Sequence, residues 1–287
     1  MGRTGEARPA GPSGSLSTEL GLRVLSGIVL VMVALGTTWL GGWAFAALWC
    51  AAGVVMAAEW IGLAASRPRL PLILAAAAGL IGLAIATRTG PWPAAPVLVI
   101  GATLVLLAFL GASTRDRLWA VSGLAYAAPA VAVPIVLRDR ADLGVAAIFW
   151  LFAVVWATDI AAFFVGRRLG GPKLWPRVSP GKTWSGFAGG LIAGTLAALV
   201  VALLAMRAGQ LLPLSLPAMA GAAALASVAS QLGDLGESAL KRYFGAKDSG
   251  HLIPGHGGVM DRLDGFVAVA FLVGLALLWA RLAGTNG

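Results

Sequence analysis

The chain contains long apolar blocks separated by short charged or glycine-rich segments. Runs of about 18 or more apolar residues with few charges are typical of membrane-spanning helices. Only 11% of the 287 residues are charged and 59% are apolar, whereas an ordinary soluble domain has about 25% charged residues. So few charges could not cover a surface exposed to water. The sequence therefore predicts a polytopic integral membrane protein with an all-α fold.

Breaks at glycine, proline and charged residues divide the chain into about nine predicted spans. The composition of residues 1–20 predicts a disordered tail, and the apolar stretch that follows is too long for a signal peptide. N-terminal helices (21–143) and a C-terminal catalytic region (144–287) follow. Only Gly41 and Gly42 separate the first two spans, so one long kinked helix is the alternative there. The predicted spans are 22–39, 42–65, 70–87, 94–112, 118–137, 144–166, 184–206, 214–236 and 263–282.

The lysines and arginines are distributed unevenly between the predicted loops. With the N-terminus inside, 16 of the 21 lie on the cytoplasmic side, as the positive-inside rule requires. This rule accounts for the net charge of +9, and the bases form no stripe with interleaved aromatic residues, so we expect no nucleic-acid partner. The same orientation places the loop 167–183 and the polar segment 237–262 together on the cytoplasmic side.

Carboxylates are scarce, and half of the twelve cluster near the ends of late spans. If residues 230–242 are helical, Asp234 lies four, seven and eight residues from its polar neighbours on one helix face. Asp261 and Asp264 open the last span and also point the same way. The members of this acidic group are Asp159, Asp234, Glu237, Asp248, Asp261 and Asp264. The polar neighbours of Asp234 are Ser238, Lys241 and Arg242.

The segment between the last two spans is rich in glycine and polar residues. Acids hold Mg²⁺, cations neutralise phosphates, and N–H groups in glycine turns approach anions closely. This combination predicts a triphosphate substrate. The alternative is that the charges only keep the loops solvated, although that would not explain acids that continue into apolar spans. His256 is interpreted as a phosphate contact or proton carrier, and Glu59, inside the second span, as either functional or close enough to water to be solvated.

Three blocks of sequence resemble the phosphatidate cytidylyltransferase (CDP-diacylglycerol synthase) family. The first runs from Ser238 to Asp264 and ends in Ile-Pro-Gly-His-Gly-Gly-Val-Met-Asp-Arg-Leu-Asp. The second, Ser-Pro-Gly-Lys-Thr-Trp-Ser-Gly at 179–186, is similar to the Ser-Pro-x-Lys-Thr-x-x-Gly loop of that family. The third spans Asp159 to Arg167. The likeness covers about residues 150–283, and the N-terminal half matches only as apolar spans.

The resemblance implies that phosphatidic acid attacks CTP to give CDP-diacylglycerol and pyrophosphate at the cytoplasmic face of a bacterial inner membrane. It implies Mg²⁺ as cofactor and the bilayer as the environment, and it leaves a homodimer open. A transporter would show inverted repeats or matched broken helices in both halves, whereas here the acids concentrate in the C-terminal half and the signature has no duplicate upstream. The CDP-alcohol phosphotransferase pattern is absent too, and the retained acids argue against a degenerate regulatory relative.

The resemblance also implies a role for each site residue. Asp234, Asp261 and Asp159 would hold metal. The catalytic residues would be Asp234, Asp261, Asp264, Lys241, Asp248 and His256. The substrate would be bound by Ser179, Lys182, Thr183, Ser238, Arg242, Lys247 and Arg262.

Overall fold

Helices make up almost the whole of the computed structural model, which describes residues 16–90, 94–141, 143–212, 214–253 and 257–283. Within these ranges it contains nine helices and one short β-hairpin. In chain order the elements are α1 (Leu16–Leu40), α2 (Gly42–Leu63), α3 (Arg69–Thr89), α4 (Ala95–Leu110), α5 (Thr114–Arg138), α6 (Gly144–Leu169), β1 (Lys173–Trp175), β2 (Ser179–Thr183), α7 (Trp184–Arg207), α8 (Leu216–Tyr243) and α9 (Met260–Leu282).

The predicted membrane architecture is confirmed by the lengths and surfaces of these helices. In the described part of the chain, seven helices are long and apolar enough to cross a bilayer, and Val24–Leu40 and Ala95–Leu110 are shorter apolar helices. Large apolar side chains lie on the outer surface, among them Phe109, which is 80% exposed. A soluble protein rarely exposes so much apolar area, whereas a lipid-facing surface requires it.

The first two predicted spans are separate helices. Gly41 and Gly42 both have positive φ values and interrupt the helix between α1 and α2. The guanidinium of Arg138, at the end of α5, donates hydrogen bonds to the last carbonyls of α1, with Nε 2.6 Å from Thr38 O and Nη2 3.1 Å from Trp39 O. A cation that binds the free carbonyls of a helix end stabilises that end.

Two boundaries differ from the predicted ones. Helix α1 already begins at Leu16, inside the stretch predicted to be a tail, while residues 1–15 lie outside the described residues. Helix α8 continues to Tyr243, so the condition that residues 230–242 are helical is met. The first turns of the predicted polar segment are therefore helical, and they carry charged side chains above the apolar part of α8.

The loop between α6 and α7 contains a hairpin that the sequence did not predict. Its strands β1 and β2 are antiparallel, with Lys173 opposite Thr183 and Trp175 opposite Ser179. Thr183 then ends the hairpin as the N-cap of α7, since its Oγ1 accepts a hydrogen bond from Gly186 N at 3.1 Å. The hairpin therefore lies directly above the ends of α6 and α7.

Helix α9 packs against both halves of the molecule. Buried residues of α2, α3, α4 and α5 form one apolar cluster, which includes Met260 and Val267 of α9. A second cluster joins α2, α5, α6, α7 and α8 and includes Phe266. There the rings of Trp49 and Phe266 stack with their centroids 4.4 Å apart. The start of α9 is thus fixed by the N-terminal helices as well as by α8.

Helices α6 and α7 approach each other closely along small residues of α7. A Cβ placed at Gly190 would lie 2.8 Å from the carbonyl oxygen of Thr158 in α6. The Thr158 hydroxyl in turn lies 2.7 Å from the Ser227 hydroxyl of α8. Small residues at such positions allow membrane helices to pack through their backbones. This contact holds the hairpin end of α6 beside α7.

Replacement of Gly190 by leucine should force α6 and α7 apart. Overpacking of a close contact costs about 1–3 kcal/mol, so we expect a lower midpoint of thermal aggregation for the detergent-solubilised protein. Gly221→Leu is the matched control, because a Cβ at Gly221 would have nothing within 4 Å. Equal midpoints for the two variants, measured by size-exclusion chromatography after heating, would contradict the packing described here.

Candidate active site

A cavity of about 810 Å³ opens at the end of the bundle that carries the hairpin. The ends of α6 and α8, the start of α9 and strand β2 all contribute to its wall. Its described lining includes the acids Asp159, Asp234, Glu237, Asp248, Asp261 and Asp264 and the bases Arg167, Lys173, Lys182, Lys241 and Arg262. The size lies within the range of about 300–1,000 Å³ that is typical of small-ligand sites. Nearly balanced charges of both signs therefore converge where a ligand could enter.

One ion pair joins the hairpin to α8 across this cavity. Lys182 of β2 places its Nζ 2.5 Å from Asp234 Oδ2. Both side chains remain partly exposed to the cavity, at 25% for Lys182 and 36% for Asp234. A phosphate that enters the cavity can therefore compete with Asp234 for the ammonium group, and a cation can compete with Lys182 for the carboxylate.

A second and more deeply buried ion pair network joins α8 to α9. Lys241 Nζ lies 2.6 Å from Glu237 Oε2 on its own helix and 2.6 Å from Asp261 Oδ1 on α9. The Glu237 side chain is 1% exposed and that of Asp261 is 6% exposed. The single ammonium group of Lys241 thus neutralises two buried carboxylates. Each carboxylate would destabilise the fold if it were buried without a cation.

The Asp261 carboxylate also organises the turn before α9. Ser249 N donates to both of its oxygens at 3.0 and 3.2 Å, and Ser249 Oγ lies 2.9 Å from Oδ2. Gly258 N donates to the same Oδ2 at 2.8 Å. Hydrogen bonds from several N–H groups stabilise a carboxylate in its charged form. Asp261 is therefore fixed in position before any ligand binds.

Asp159 and Asp264 complete the acidic part of the wall. Asp159 lies close enough to Asp234 for the two charges to repel each other, with Lys182 nearby as the compensating cation. Asp264 interacts unfavourably with Asp234, Glu237 and Asp159, and it accepts a hydrogen bond from Gly265 N at 2.7 Å. Carboxylates crowded in this way favour the arrival of a cation.

The sequence is similar to those of known proteins over most of its length. A model of the cytidylyltransferase family matches residues 21–279. A phosphatidate cytidylyltransferase of Brucella suis biovar 1 (strain 1330) is 43% identical over 258 residues, which is 89% of this chain and 92% of the relative. The chain belongs to the cytidylyltransferase family.

Two other relatives in the cytidylyltransferase family match less of the chain. The phosphatidate cytidylyltransferase of Staphylococcus aureus (strain COL) is 34% identical over 212 residues, which cover 71% of this chain and 78% of the relative. That of Bacillus subtilis (strain 168) is 44% identical over 133 residues, 46% of this chain and 48% of the relative. The resemblance inferred from the three sequence blocks is thus confirmed at the level of the family.

Most of the predicted site residues of this cytidylyltransferase-family chain line the cavity. Thr183 is among them, although its hydroxyl caps α7. Ser179, Ser238, Arg242 and Lys247 are not among the lining residues, and Arg242 Nη1 instead donates to Ala246 O at 3.2 Å. His256 lies outside the described residues. The predicted residues that line the cavity are Asp159, Lys182, Thr183, Asp234, Lys241, Asp248, Asp261, Arg262 and Asp264.

Three polar residues have structural contacts that the sequence did not reveal. The sequence identified Glu237 as one of the converging acids. The structure adds that its carboxylate is paired with Lys241 inside the site. Ser249 bonds Asp261, and Glu59 contacts Ser249 and the start of α9. The spacing of Glu237 and Lys241, four residues apart on a helix, is a signal that could have identified the first of these contacts.

The site contains the type of donor atom, carboxylate oxygen, that binds a hard cation such as Mg²⁺. Carboxylate oxygens are the ligands that Mg²⁺ prefers, and Asp159, Asp234 and Asp261 all line the cavity. Among the described residues, however, no three acidic, histidine or cysteine side chains are gathered into a group ready to hold a metal. Lys182 and Lys241 instead contact the carboxylates of Asp234 and Asp261.

Proposed function

We propose that this chain is a phosphatidate cytidylyltransferase, which transfers CMP from CTP to phosphatidic acid and so gives CDP-diacylglycerol and pyrophosphate. The relatives at 43% and 34% identity carry that name. The observation that supports the activity most directly is the cavity in which Lys182–Asp234 and Lys241–Asp261 face the same space. Cations for phosphates and acids for a metal are thus present together at one end of a membrane bundle.

The cavity wall also suits a lipid substrate. Besides its charged lining it includes Phe163, Leu174 and Phe187, and the Phe163 side chain is 57% exposed at the surface of α6. A phosphatidic acid headgroup could therefore reach the charged residues while its acyl chains stay beside apolar helices. This arrangement brings a water-soluble nucleotide and a membrane lipid to one place.

In the proposed reaction a phosphate oxygen of phosphatidic acid attacks the α-phosphorus of CTP. The new P–O bond forms as the bond from the α-phosphorus to the α,β-bridging oxygen breaks, and pyrophosphate leaves with that electron pair. Two anions must approach each other, so positioning and charge neutralisation supply most of the catalysis. Lys182, Lys241 and Arg262 would exchange their contacts with protein groups for contacts with the phosphates.

Magnesium dependence belongs to the same proposal. Asp234 and Asp261 would hold Mg²⁺, supported by Asp159, once the two lysines contact phosphates instead of carboxylates. Bound Mg²⁺ would neutralise charge on the phosphates and on the leaving pyrophosphate. Asp264, which lines the same cavity, would keep the acidic wall attractive to the ion.

We place the site at the cytoplasmic face of a bacterial inner membrane. The hairpin end of the bundle carries most of the loop lysines and arginines, and such loops remain inside. A site at that face can take CTP directly from the cytoplasm, so no transport of nucleotide across the membrane is needed.

The oligomeric state is a separate part of the proposal, in which a homodimer is the alternative to a monomer. Cross-linking of the protein in native membranes would distinguish the two.

The purified protein should convert labelled CTP and phosphatidic acid into CDP-diacylglycerol and pyrophosphate, and EDTA should stop the reaction until Mg²⁺ is restored. Lys182→Met should raise the KM for CTP about 10- to 100-fold, because a hydrogen bond between charged groups contributes about 1.5–3 kcal/mol. Arg207→Met, at the opposite end of α7, is the matched control. Absence of product with the wild-type protein, or product formation unaffected by EDTA, would contradict the activity or its metal dependence respectively.

A further inference from the structure

Glu59 lies in the last turns of α2, yet its carboxylate contacts the start of α9, about 200 positions further along the chain. Glu59 Oε1 accepts a hydrogen bond from Val259 N at 3.0 Å, and Oε2 accepts one from Met260 N at 2.8 Å. The first N–H groups of a helix have no partner within the helix. A carboxylate supplied by a different helix therefore caps α9, and its negative charge also favours the positive end of the helix dipole.

The segment that Glu59 holds is the same one that surrounds Asp261. Ser249 Oγ lies 3.2 Å from Glu59 Oε2 and 2.9 Å from Asp261 Oδ2. A hydroxyl has a single proton, so it can donate to only one of the two carboxylates at a time, and the shorter distance favours Asp261. Glu59 and Asp261 thus both bind the turn, and of these two acids only Asp261 lines the catalytic cavity.

Gly258 shows how tightly Glu59 fits against this turn. A Cβ at Gly258 would meet the Ser249 hydroxyl first and would lie 2.7 Å from each oxygen of the Glu59 carboxylate. Real Cβ atoms do not approach oxygen so closely, so any larger residue there would displace the Ser249 hydroxyl and the Glu59 carboxylate. Glycine is therefore required at this position by the close approach of Ser249 and Glu59, while its backbone N–H binds Asp261.

The turn of α2 that carries Glu59 is itself held firmly against α5. The neighbouring residue, Trp60, donates a hydrogen bond from its indole N–H to Trp119 O at 3.1 Å. The Trp60 ring lies 4.9 Å from the Tyr126 ring, measured between centroids. Both partners belong to α5, so the support for Glu59 is a rigid pair of helices rather than a loop.

We propose that Glu59 is a positioning residue that sets the place of Asp261 in the active site. Its carboxylate fixes the backbone at 259–260, and this backbone determines where the Asp261 side chain enters the cavity. The N-terminal helices then serve catalysis directly, because they supply the anchor for a catalytic turn. The inference rests on the proposed cytidylyltransferase function.

Kinetics of Glu59→Ala provide the first test. A displacement of about 1 Å at a reacting site lowers turnover about 10²-fold, and loss of an outer contact to a metal ligand weakens metal affinity about 10- to 100-fold. We expect kcat to fall by about 10²-fold and the Mg²⁺ concentration for half-maximal rate to rise at least about tenfold. Protein that elutes as a single folded peak is used throughout, so that a lower folded fraction does not imitate these effects.

Conservative replacement separates positioning from a general loss of structure. Glu59→Gln keeps one carboxamide oxygen for Met260 N, so we expect it to recover most of the Mg²⁺ response lost in Glu59→Ala. Gly258→Ala should impair the Mg²⁺ response at least as much as Glu59→Ala, because its methyl group would meet both the Ser249 hydroxyl and the Glu59 carboxylate. Gly221→Ala, with open space around its Cβ, should behave as wild type.

Backbone hydrogen exchange provides a test that does not depend on turnover. In Glu59→Ala the amides of Val259 and Met260 should exchange faster than in wild type, while peptides from α5 should be unchanged. Unchanged exchange at 259–260, or a Glu59→Ala enzyme with normal kcat and Mg²⁺ response, would overturn the inference. A wild-type protein without transferase activity would instead refute the proposed function, and the exchange result would still decide whether Glu59 holds the turn.

Discussion

Asp261→Asn is expected to lower kcat about 10³-fold, the upper range for removal of one electrostatic group from an active site. Asp261 accepts hydrogen bonds from Lys241, Ser249 and Gly258. The amide that replaces it is neutral, and its NH₂ group would face donors instead of accepting from them. The proposed Mg²⁺ would lose a charged ligand at the same time. The rate of release of labelled pyrophosphate from CTP measures the effect.

Asp139→Asn is the matched control for this substitution. Asp139 lies at the opposite end of the bundle, where its Oδ2 is 3.2 Å from Arg88 Nη1 in a half-exposed ion pair. Such pairs contribute little, about 0–1 kcal/mol, so this variant should keep wild-type turnover. Folded Asp261→Asn protein that turns over at the rate of Asp139→Asn would refute the assignment of Asp261 to the active site.

Lys241→Met is expected to destabilise the protein by about 3–5 kcal/mol, because removal of one partner leaves buried charges without compensation. Two carboxylates, those of Glu237 and Asp261, depend on this single ammonium. Both would then have to remain charged without a cation or take up protons. The midpoint of thermal aggregation of the detergent-solubilised protein should fall accordingly.

A second substitution tests that explanation of the stability loss. Addition of Glu237→Gln to Lys241→Met removes the more deeply buried charge, so part of the lost stability should return, while Asp261 keeps its bonds from Ser249 and Gly258. Arg242→Met, next to Lys241, removes only a partly exposed hydrogen bond to Ala246 O and should cost no more than about 1 kcal/mol. No recovery in the double variant would show that the charge imbalance is not the cause.

The fold could be predicted well from the sequence because lipid imposes a simple rule on each span. An apolar run long enough to cross the bilayer must become a helix, and the predicted spans at 144–166 and 184–206 correspond to α6 and α7. The hairpin was not predicted because its five-residue strand contains Pro180 and Gly181, which are unfavourable in strands. Its shape depends on contacts with the helix ends rather than on local preference.

The candidate site was predicted in part, and helix geometry explains the difference. Asp234, Glu237 and Lys241, at spacings of three and four, face the cavity together. Ser238 follows Glu237 by one residue, which turns it about 100° around the helix, and Arg242 is displaced from Lys241 in the same way. The role of Glu59 could not be predicted, because its partners lie in a segment that only the folded chain brings near α2.

The Glu237–Lys241 pair has a consequence for how the chain enters the membrane during synthesis. Helix α8 is the least hydropathic of the seven long helices, with a mean hydropathy of 1.3. Its charged last turns follow the apolar part directly, where an uncompensated charge still costs a fraction of the roughly 2.5–3.5 kcal/mol that it would cost at the bilayer centre. The two residues are four apart on one helix, so they can neutralise each other as soon as α8 forms, before α9 has left the ribosome. Asp261 would bind Lys241 later, when α9 folds. Glu237, the most buried charge of the catalytic centre, would therefore already be paired with Lys241 when α8 enters the membrane.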